Sequence, residues 1–279
     1  MTGLRNLFTV DLEEWFHICG AGGALAADRW DQLPSRVEST TRMLLDMLDR
    51  AGVPATWFVV GWVAERHPRL IEEILAAGHD VGSHGYAHRR AYDLGPDVFR
   101  ADLRASVRAL HPIVAKPVTA FRAPEWSIVE RSRFALTILV EEGFTHDASM
   151  APVKIVGDTS LPRHPHVRHT PAGAIIELPP LVADRFGQVM PLGWGWGLRM
   201  STARRVLRTM EAANRRGVPA VLTVHPWELD PDPPRVRLRA GLWFSHYFCL
   251  GGFGERLQQV LNGASFGRIA DISVCTVSP

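Results

Sequence analysis

The sequence predicts an α/β fold built on a parallel sheet, and three observations lead there. Seven short apolar runs alternate with amphipathic helical patterns along the 279 residues, the order from which such sheets are made. Several runs are continuously hydrophobic, as strands buried on both faces are. No internal repeat or low-complexity segment interrupts the pattern, so residues 1–279 form one domain, of a size that buries a substantial core.

The first run is NLFTVDL (6–12). STTRMLLDMLDRAG (39–52) then sets Thr41, Leu44, Leu45 and Leu48 at helical spacing and closes on Gly52. ATWFVV (55–60) is the second run. PRLIEEILAAG opens on Pro68 and stops at Gly78, the asymmetry expected of a helix. DVGSH (80–84) is the third run, PDVFRADLRASVRAL (96–110) the next helix and TAFRAP (119–124) the fourth run. RSRFALTILVEEG (131–143) is a helix leading to FTHDAS (144–149), and AIIELPP (174–180) is the sixth run. The longest helix is STARRVLRTMEAANRRG (201–217), with Ser201 as its N-cap, and AVLTVHP (220–226) follows it. Residues 150–173 and 228–247 break the alternation as long irregular loops, a kind that is usually functional or mobile.

Composition narrows the function classes. With 46% hydrophobic and 22% charged residues the chain is an ordinary soluble globular one, and a net charge of +2 gives no ground for a nucleic-acid or membrane partner. Basic residues are nearly all arginine; Lys116 and Lys154 are the exceptions. Cys19, Cys249 and Cys275 are far apart and lack CxxC spacing, which argues against a disulfide framework or a cysteine zinc site. The opening MTGLRNLFTVDLEEW carries charge early and has no long apolar run. Neither a secretory leader nor a membrane anchor is expected, and a cytoplasmic location is the default.

The polar residues gather at the ends of the runs. The first ends in Asp11, Glu13 and Glu14, the third in His84 with His88 four residues on, and the fourth in Arg122. The fifth holds Asp147 and the seventh ends in His225. In a parallel α/β barrel such strand ends open on one face, where active sites form. An ionisable residue inside an apolar strand is costly unless paired or bound to metal. Two imidazoles and one carboxylate leave positions open on a divalent ion, the arrangement of a catalytic site. Plainer roles stay open for each: His84 and His88 as loop residues, Asp11 as a helix cap or a salt-bridge partner of Arg122, His225 as a core histidine. HxxxH lacks the glutamate of the zinc-protease helix, which excludes that mechanism. His17, His111, His146, His164, His166 and His169 fall in loops or at helix ends and read as solvated.

Together these segments resemble the polysaccharide deacetylase family, the NodB-homology or carbohydrate esterase 4 group. Within it the chain resembles the subgroup found in exopolysaccharide loci with exosortase and PEP-CTERM proteins. FTVDLEEWFH resembles the subgroup's opening motif, and the stretch from ATWFVVGWVAERHP to VGSHGYAHR holds the HxxxH motif. FRAPEWSI, EEGFTHDASM and LTVHPWELD resemble the third, fourth and fifth motifs, and FSHYFCLGGFGERLQQVL the subgroup's tail. The resemblance implies a distorted (β/α) barrel of about seven parallel strands, with about 228–279 as a subgroup extension packed on it. It also implies metal-dependent removal of acetyl groups from N-acetylated sugars.

Carried over by position, Asp11 is the general base, His84 and His88 are metal ligands, His225 is the general acid, and Arg122 holds and tunes the base. The implied cofactor is a divalent ion, Zn2+ by preference. The implied partner is a carbohydrate, with no nucleic acid and no membrane span. The family's usual pair of adjacent aspartates is absent, because Leu12 follows Asp11; Glu13 is assigned as the third ligand, with Glu14 as the alternative. MPLGWGWGLRM (190–200) reads as a substrate-facing loop or a hydrophobic plug at the rim. Trp126, Trp194, Trp196 and Trp227 offer flat faces for sugar stacking, and Asp147 is grouped with them as substrate-binding. A hydrolase of a small cyclic amide or ureide on the same barrel, and a non-catalytic carbohydrate-binding protein, are the rival readings.

Overall fold

The computed structural model describes residues 4–272, and Cys275 lies outside them. All seven apolar runs form strands. β1 (Asn6–Leu12) leads to α1 (Val37–Ala51), which Gly52 ends in the left-handed region at φ 62°. β2 (Thr56–Val59), α2 (Gly61–Arg66), α3 (Pro68–Ala76) and β3 (Asp80–Ser83) follow, then α4 (Pro96–Leu110), β4 (Ala120–Phe121), α5 (Phe134–Glu141) and β5 (His146–Asp147). Next come β6 (His166–Thr170), β7 (Gly173–Glu177), β8 (Val182–Arg185) and β9 (Gln188–Pro191). α6 (Gly195–Arg199), α7 (Ala203–Asn214), β10 (Val221–Val224), α8 (Ala240–Tyr247), α9 (Phe253–Gly263) and β11 (Phe266–Gly267) complete the chain.

The order β10-β1-β2-β3-β4-β5-β7 is parallel throughout, matching the seven strands expected. β6 adds antiparallel beside β7, and β11 pairs with the start of β1. The curl is a half-barrel that strand pairing does not close. Extended chain lies along the free edge of β10 instead: the Leu181 N–H donates to Val221 O (2.9 Å) and the Thr223 N–H to Gly193 O (2.7 Å). Gly193 is required there, since a Cβ would sit 2.7 Å from Val221 O.

Three expectations are corrected. The irregular stretch 150–173 contains most of the β6–β7 hairpin, and 228–247 contains α8. Ser201 is not the cap of α7; the Thr202 hydroxyl accepts from Arg205 N–H (3.3 Å), while the Ser201 hydroxyl donates to Gly197 O (2.9 Å). The β8–β9 hairpin, absent from the expected strands, is an isolated two-stranded sheet. No helix among the described residues is long and apolar enough to cross a membrane.

Period-two alternation fixes which side chains face inward. Leu7, Phe58, Ala120, Ala148, Ile176 and Val221 fill the inside of the curl. Phe8, Val10, Leu12, Leu222 and Val224 face the helices, in the cluster that holds Leu44 and Leu48 of α1 and Leu257 and Leu261 of α9. Thr9 and Asp11 share the inward side with Leu7, so β1 delivers a carboxylate to the C-terminal rim. The interior leaves little room: a Cβ on Gly82 would meet Ala120 O and the Phe58 ring, both at 2.8 Å. Gly82→Ala should therefore lower stability by about 1–3 kcal/mol, read as a fall in the denaturation midpoint.

Candidate active site

The strand ends bring together the residues the sequence singled out. Glu13, His84 and His88 place one ligand atom each within 4.8 Å of one another, and all three are buried. Glu13 Oε2 lies 2.5 Å from His88 Nε2 and 3.9 Å from His84 Nε2. The His84 Nδ1 is tied to Arg122 O (2.8 Å), which leaves Nε2 for a ligand, the usual support of a metal-binding histidine. His88 is held at φ 48°, with the Cys19 sulfur 3.5 Å from its Nδ1.

The charges fit a cation. Burial opposes ionisation of Glu13, but the charge and hydrogen bond of His88, with His225 and His84 behind it, hold its pKa well below the usual carboxylate range. Burial keeps His84 neutral, its pKa pushed down to about 4. An ionised carboxylate and a neutral imidazole are the ligand states a divalent metal takes. Burial also opposes protonation of His88, yet Glu13 draws a positive charge onto it, a charge that a bound cation would replace.

Glu14 has a different task. Its carboxylate accepts from Arg36 N–H (3.1 Å), Val37 N–H (3.2 Å) and the Ser35 hydroxyl, satisfying donors at the start of α1. Glu13 is thus the carboxylate in the cluster, as alternation along the chain predicts.

Asp11 and Arg122 form a buried pair, Nη1 to Oδ1 2.8 Å, and Arg122 also reaches Thr9 Oγ1 (2.9 Å) and Ala148 O (3.0 Å). The guanidinium lies between the Phe58 and Trp126 rings, 4.4 and 4.5 Å from their centroids. Asp11 Oδ2 is left pointing at the cluster, 3.9 Å from His84 Nε2 and 3.7 Å from His225 Nε2.

His225 has a partner the sequence reading missed. Glu228 Oε2 accepts from the His225 backbone N–H (2.9 Å) and lies 3.0 Å from its Nδ1. Arg199 stands 2.9 Å from the other Glu228 oxygen, with both side chains fully buried. Burial works against a charge on His225, but Glu228 outweighs it and raises the pKa to about 9. The spacing of a capping box, a carboxylate three residues after His225 just beyond β10, was the available signal. Trp227 donates its Nε1–H to Glu13 Oε1 (3.0 Å) and stacks between His225 and His246.

Asp11, Glu13, His84, His88, His225 and Trp227 line a cavity of about 450 Å3. Trp126, Trp194, Trp196 and Trp227 all face it, as expected, and 190–200 supplies wall rather than plug. Trp126 and Trp227 are mostly buried and support Arg122 and Glu13; Trp194 and Trp196 are half-buried and open to an occupant. Two expectations fail. Asp147 does not line the cavity: Ala148 takes the inward position, and Asp147 turns outward to Ser149 and Glu177. Burial raises both carboxyl pKa values, Asp147 to about 6 and Glu177 well above the usual carboxylate value. His17 is not solvated either: it is buried, lines the cavity and stacks on His88 at 5.6 Å. His166 is buried as well, away from the site. His246, from α8, is a further cavity residue the sequence did not mark. His88, Glu125 and Trp126 all have positive φ, local strain of about 1–3 kcal/mol each concentrated at the site.

Metal content separates the two adjacent glutamates. The His84→Ala, His88→Ala double variant and Glu13→Gln should lose bound metal by elemental analysis. Glu14→Ala should keep it and instead lower stability by about 0.5–2 kcal/mol, the usual cost of a lost helix cap. Full metal in a folded Glu13→Gln protein would refute the assignment.

Comparison with known proteins agrees with this geometry. Residues 26–139 match the family model described as polysaccharide deacetylase, and residues 148–273 match a domain of unknown function, DUF3473. A peptidoglycan deacetylase of Helicobacter pylori is 32% identical over 107 residues, covering 38% of this chain and 36% of its own length. The chain spans about a third of the length of the curated relatives it matches. Among solved structures, a candidate polysaccharide deacetylase from Mycobacterium smegmatis superposes with a TM-score of 0.57 at 23% identity, over 81% of this chain and 82% of its own. The Puue allantoinase structure also gives 0.57, at 18% identity, over 95% and 87%. At these identities the structures show a shared fold. The match to the polysaccharide deacetylase model contains His84, His88 and Arg122.

Proposed function

We propose that this protein is a metal-dependent hydrolase that removes N-acetyl groups from N-acetylated sugars of a polysaccharide or oligosaccharide. The observation that carries the reading is one geometry: Asp11 Oδ2 sits between the Glu13–His84–His88 cluster and His225, within 3.9 Å of His84 and 3.7 Å of His225. Two nitrogens and a carboxylate oxygen suit Zn2+ with a position left open. That ion would polarise the acetyl carbonyl and make water a better nucleophile at neutral pH.

The remaining chemistry belongs to the chain. Asp11 takes the proton from the attacking water through Oδ2, while Arg122 holds Oδ1 and fixes the carboxylate's direction. Water oxygen bonds to the acetyl carbon and the C–N bond breaks. His225 delivers a proton from Nε2 to the departing nitrogen, because expelling an amide anion is prohibitive. Glu228 fixes the His225 tautomer by taking Nδ1–H, leaving Nε2 to face the substrate. The products are acetate and a free amino sugar. Trp194 and Trp196 provide the faces against which a sugar ring stacks. An exopolysaccharide is the polymer that the sequence resemblance suggests.

Acetate release from N-acetyl chito-oligosaccharides, with and without chelator, tests the reading against turnover of a small cyclic ureide. Loss of ureide hydrolysis alone on chelation would favour the rival enzyme. A non-catalytic binding protein would be expected to lack one of the residues proposed as base, ligand or acid, and Asp11, Glu13, His84, His88 and His225 are all present.

Asp11→Asn should abolish turnover yet keep the metal, since the amide is isosteric but cannot take the proton. His225→Ala should lose about 10²–10⁴-fold on a sugar amide and far less on an aryl acetate, whose leaving group needs little protonation. Equal losses on both would mean that His225 only positions another group. Glu228→Gln should lower kcat with little change in KM, because it orients the acid without touching the sugar.

A further inference from the structure

A second concavity, of about 470 Å3, lies beside α7. It is lined by Arg163, Arg204, Arg205, Arg208 and Arg216, with Asp184 as its one acid. The groove thus carries +4 (five arginines less one aspartate), against +2 for the whole chain. Asp184 pairs with Arg163 at 2.9 Å. Among the described residues the other four arginines make no ion pair. Some arginines elsewhere on the surface are paired, among them Arg42 with Glu38 and Glu73, Arg66 with Asp31, and Arg215, also near the end of α7, with Glu211; what sets the groove apart is that five arginines share one concavity with a single acid.

Forked guanidinium groups match carboxylate and phosphate oxygens two at a time. Arg204 and Arg208 stand one turn apart, about 6 Å along the helix, and Arg216 continues the row just past its end. That linear spacing suits a chain bearing repeated anions better than a single small ion. The lining has no aromatic side chain, so bases would find no stacking platform. Its lining holds no exposed large hydrophobic side chain of the kind that inserts into lipid, the exposed Phe186 standing outside it at the turn of the β8–β9 hairpin. β8 links the groove to the catalytic cavity through Val182, which lines the groove and packs in the cluster with Trp126 and Trp194 of the cavity wall.

We propose that this groove binds an anionic polysaccharide, one whose sugars carry carboxylate or phosphate groups, and holds it next to the catalytic cavity. The choice of a polysaccharide rests on the deacetylase reading; the choice of an anion rests on the arginines alone. Calorimetric titration of the full chain at physiological ionic strength tests it, with oligogalacturonate, a phosphomannan fragment, neutral chitohexaose and an oligothymidylate of matched charge as probes. The wild type should bind one or both anionic glycans more tightly than chitohexaose, and the better of the two identifies the anion. The Arg205→Glu, Arg208→Glu variant should lose at least about tenfold in that affinity, as attraction becomes repulsion, while its unfolding midpoint and its acetate release from short neutral chito-oligosaccharides stay unchanged. Equal binding by variant and wild type, no preference for the anionic glycans, or tighter binding of oligothymidylate than of either glycan would overturn the proposal. No acetate release by the wild type would instead refute the deacetylase reading, and the titration would still report on the groove.

Discussion

Two carboxylates, Asp11 and Glu13, stand on one side of one strand end at 4% and 6% exposure. Buried anions this close are tolerated only where charge and hydrogen bonds answer them. The structure answers each differently. Asp11 is met by a guanidinium that is itself clamped between two rings and two backbone and hydroxyl oxygens. Glu13 is met by imidazoles and by the Trp227 N–H, a set that can be completed by a cation. In the proposed mechanism one strand end thereby supplies both a fixed base and a ligand, distinguished only by what surrounds them.

That division draws on the whole chain. Asp11 and Glu13 precede the deacetylase match, His84, His88 and Arg122 lie within it, and His225, Trp227 and Glu228 lie in the DUF3473 match. The second half adds more than wall. Arg199 and Glu228, both fully buried, form an ion pair behind His225, and α8 brings His246 against Trp227. A buried pair of this kind is weak evidence for stability, but losing either member would leave the other's charge uncompensated next to His225, the proposed acid. The Arg199–Glu228–His225 chain is best understood as holding one ring in one direction.

Much of the fold and site was legible because it depends on local period. Continuous apolar runs gave the seven parallel strands, and alternation by two separated Glu13 from Glu14 before any contact was known. Asp147 was misjudged for a related reason. Its strand pairs over only two residues, His146 and Asp147, too few for a pattern to show which face is inward, and Ala148 holds the inward place. His17 follows Phe16 in a loop and looks like a polar loop residue, yet Trp30 and Trp62 from distant segments enclose it.

The sequence by itself determined the strands, their parallel order with helices between, and the ionisable groups carried to their ends, because hydrophobic period and chain direction are local properties. The tertiary structure decided which of those groups meet. Arg122 is 111 residues from Asp11 and Trp227 is 214 from Glu13, and only the curl of the sheet brings such pairs into hydrogen-bonding distance. It also decided that extended chain at Leu181 and Gly193, rather than an eighth parallel strand, covers the open edge of β10, and that four arginines of one groove stand without acids. Those are outcomes of packing between segments, and no single window of the sequence contains both partners.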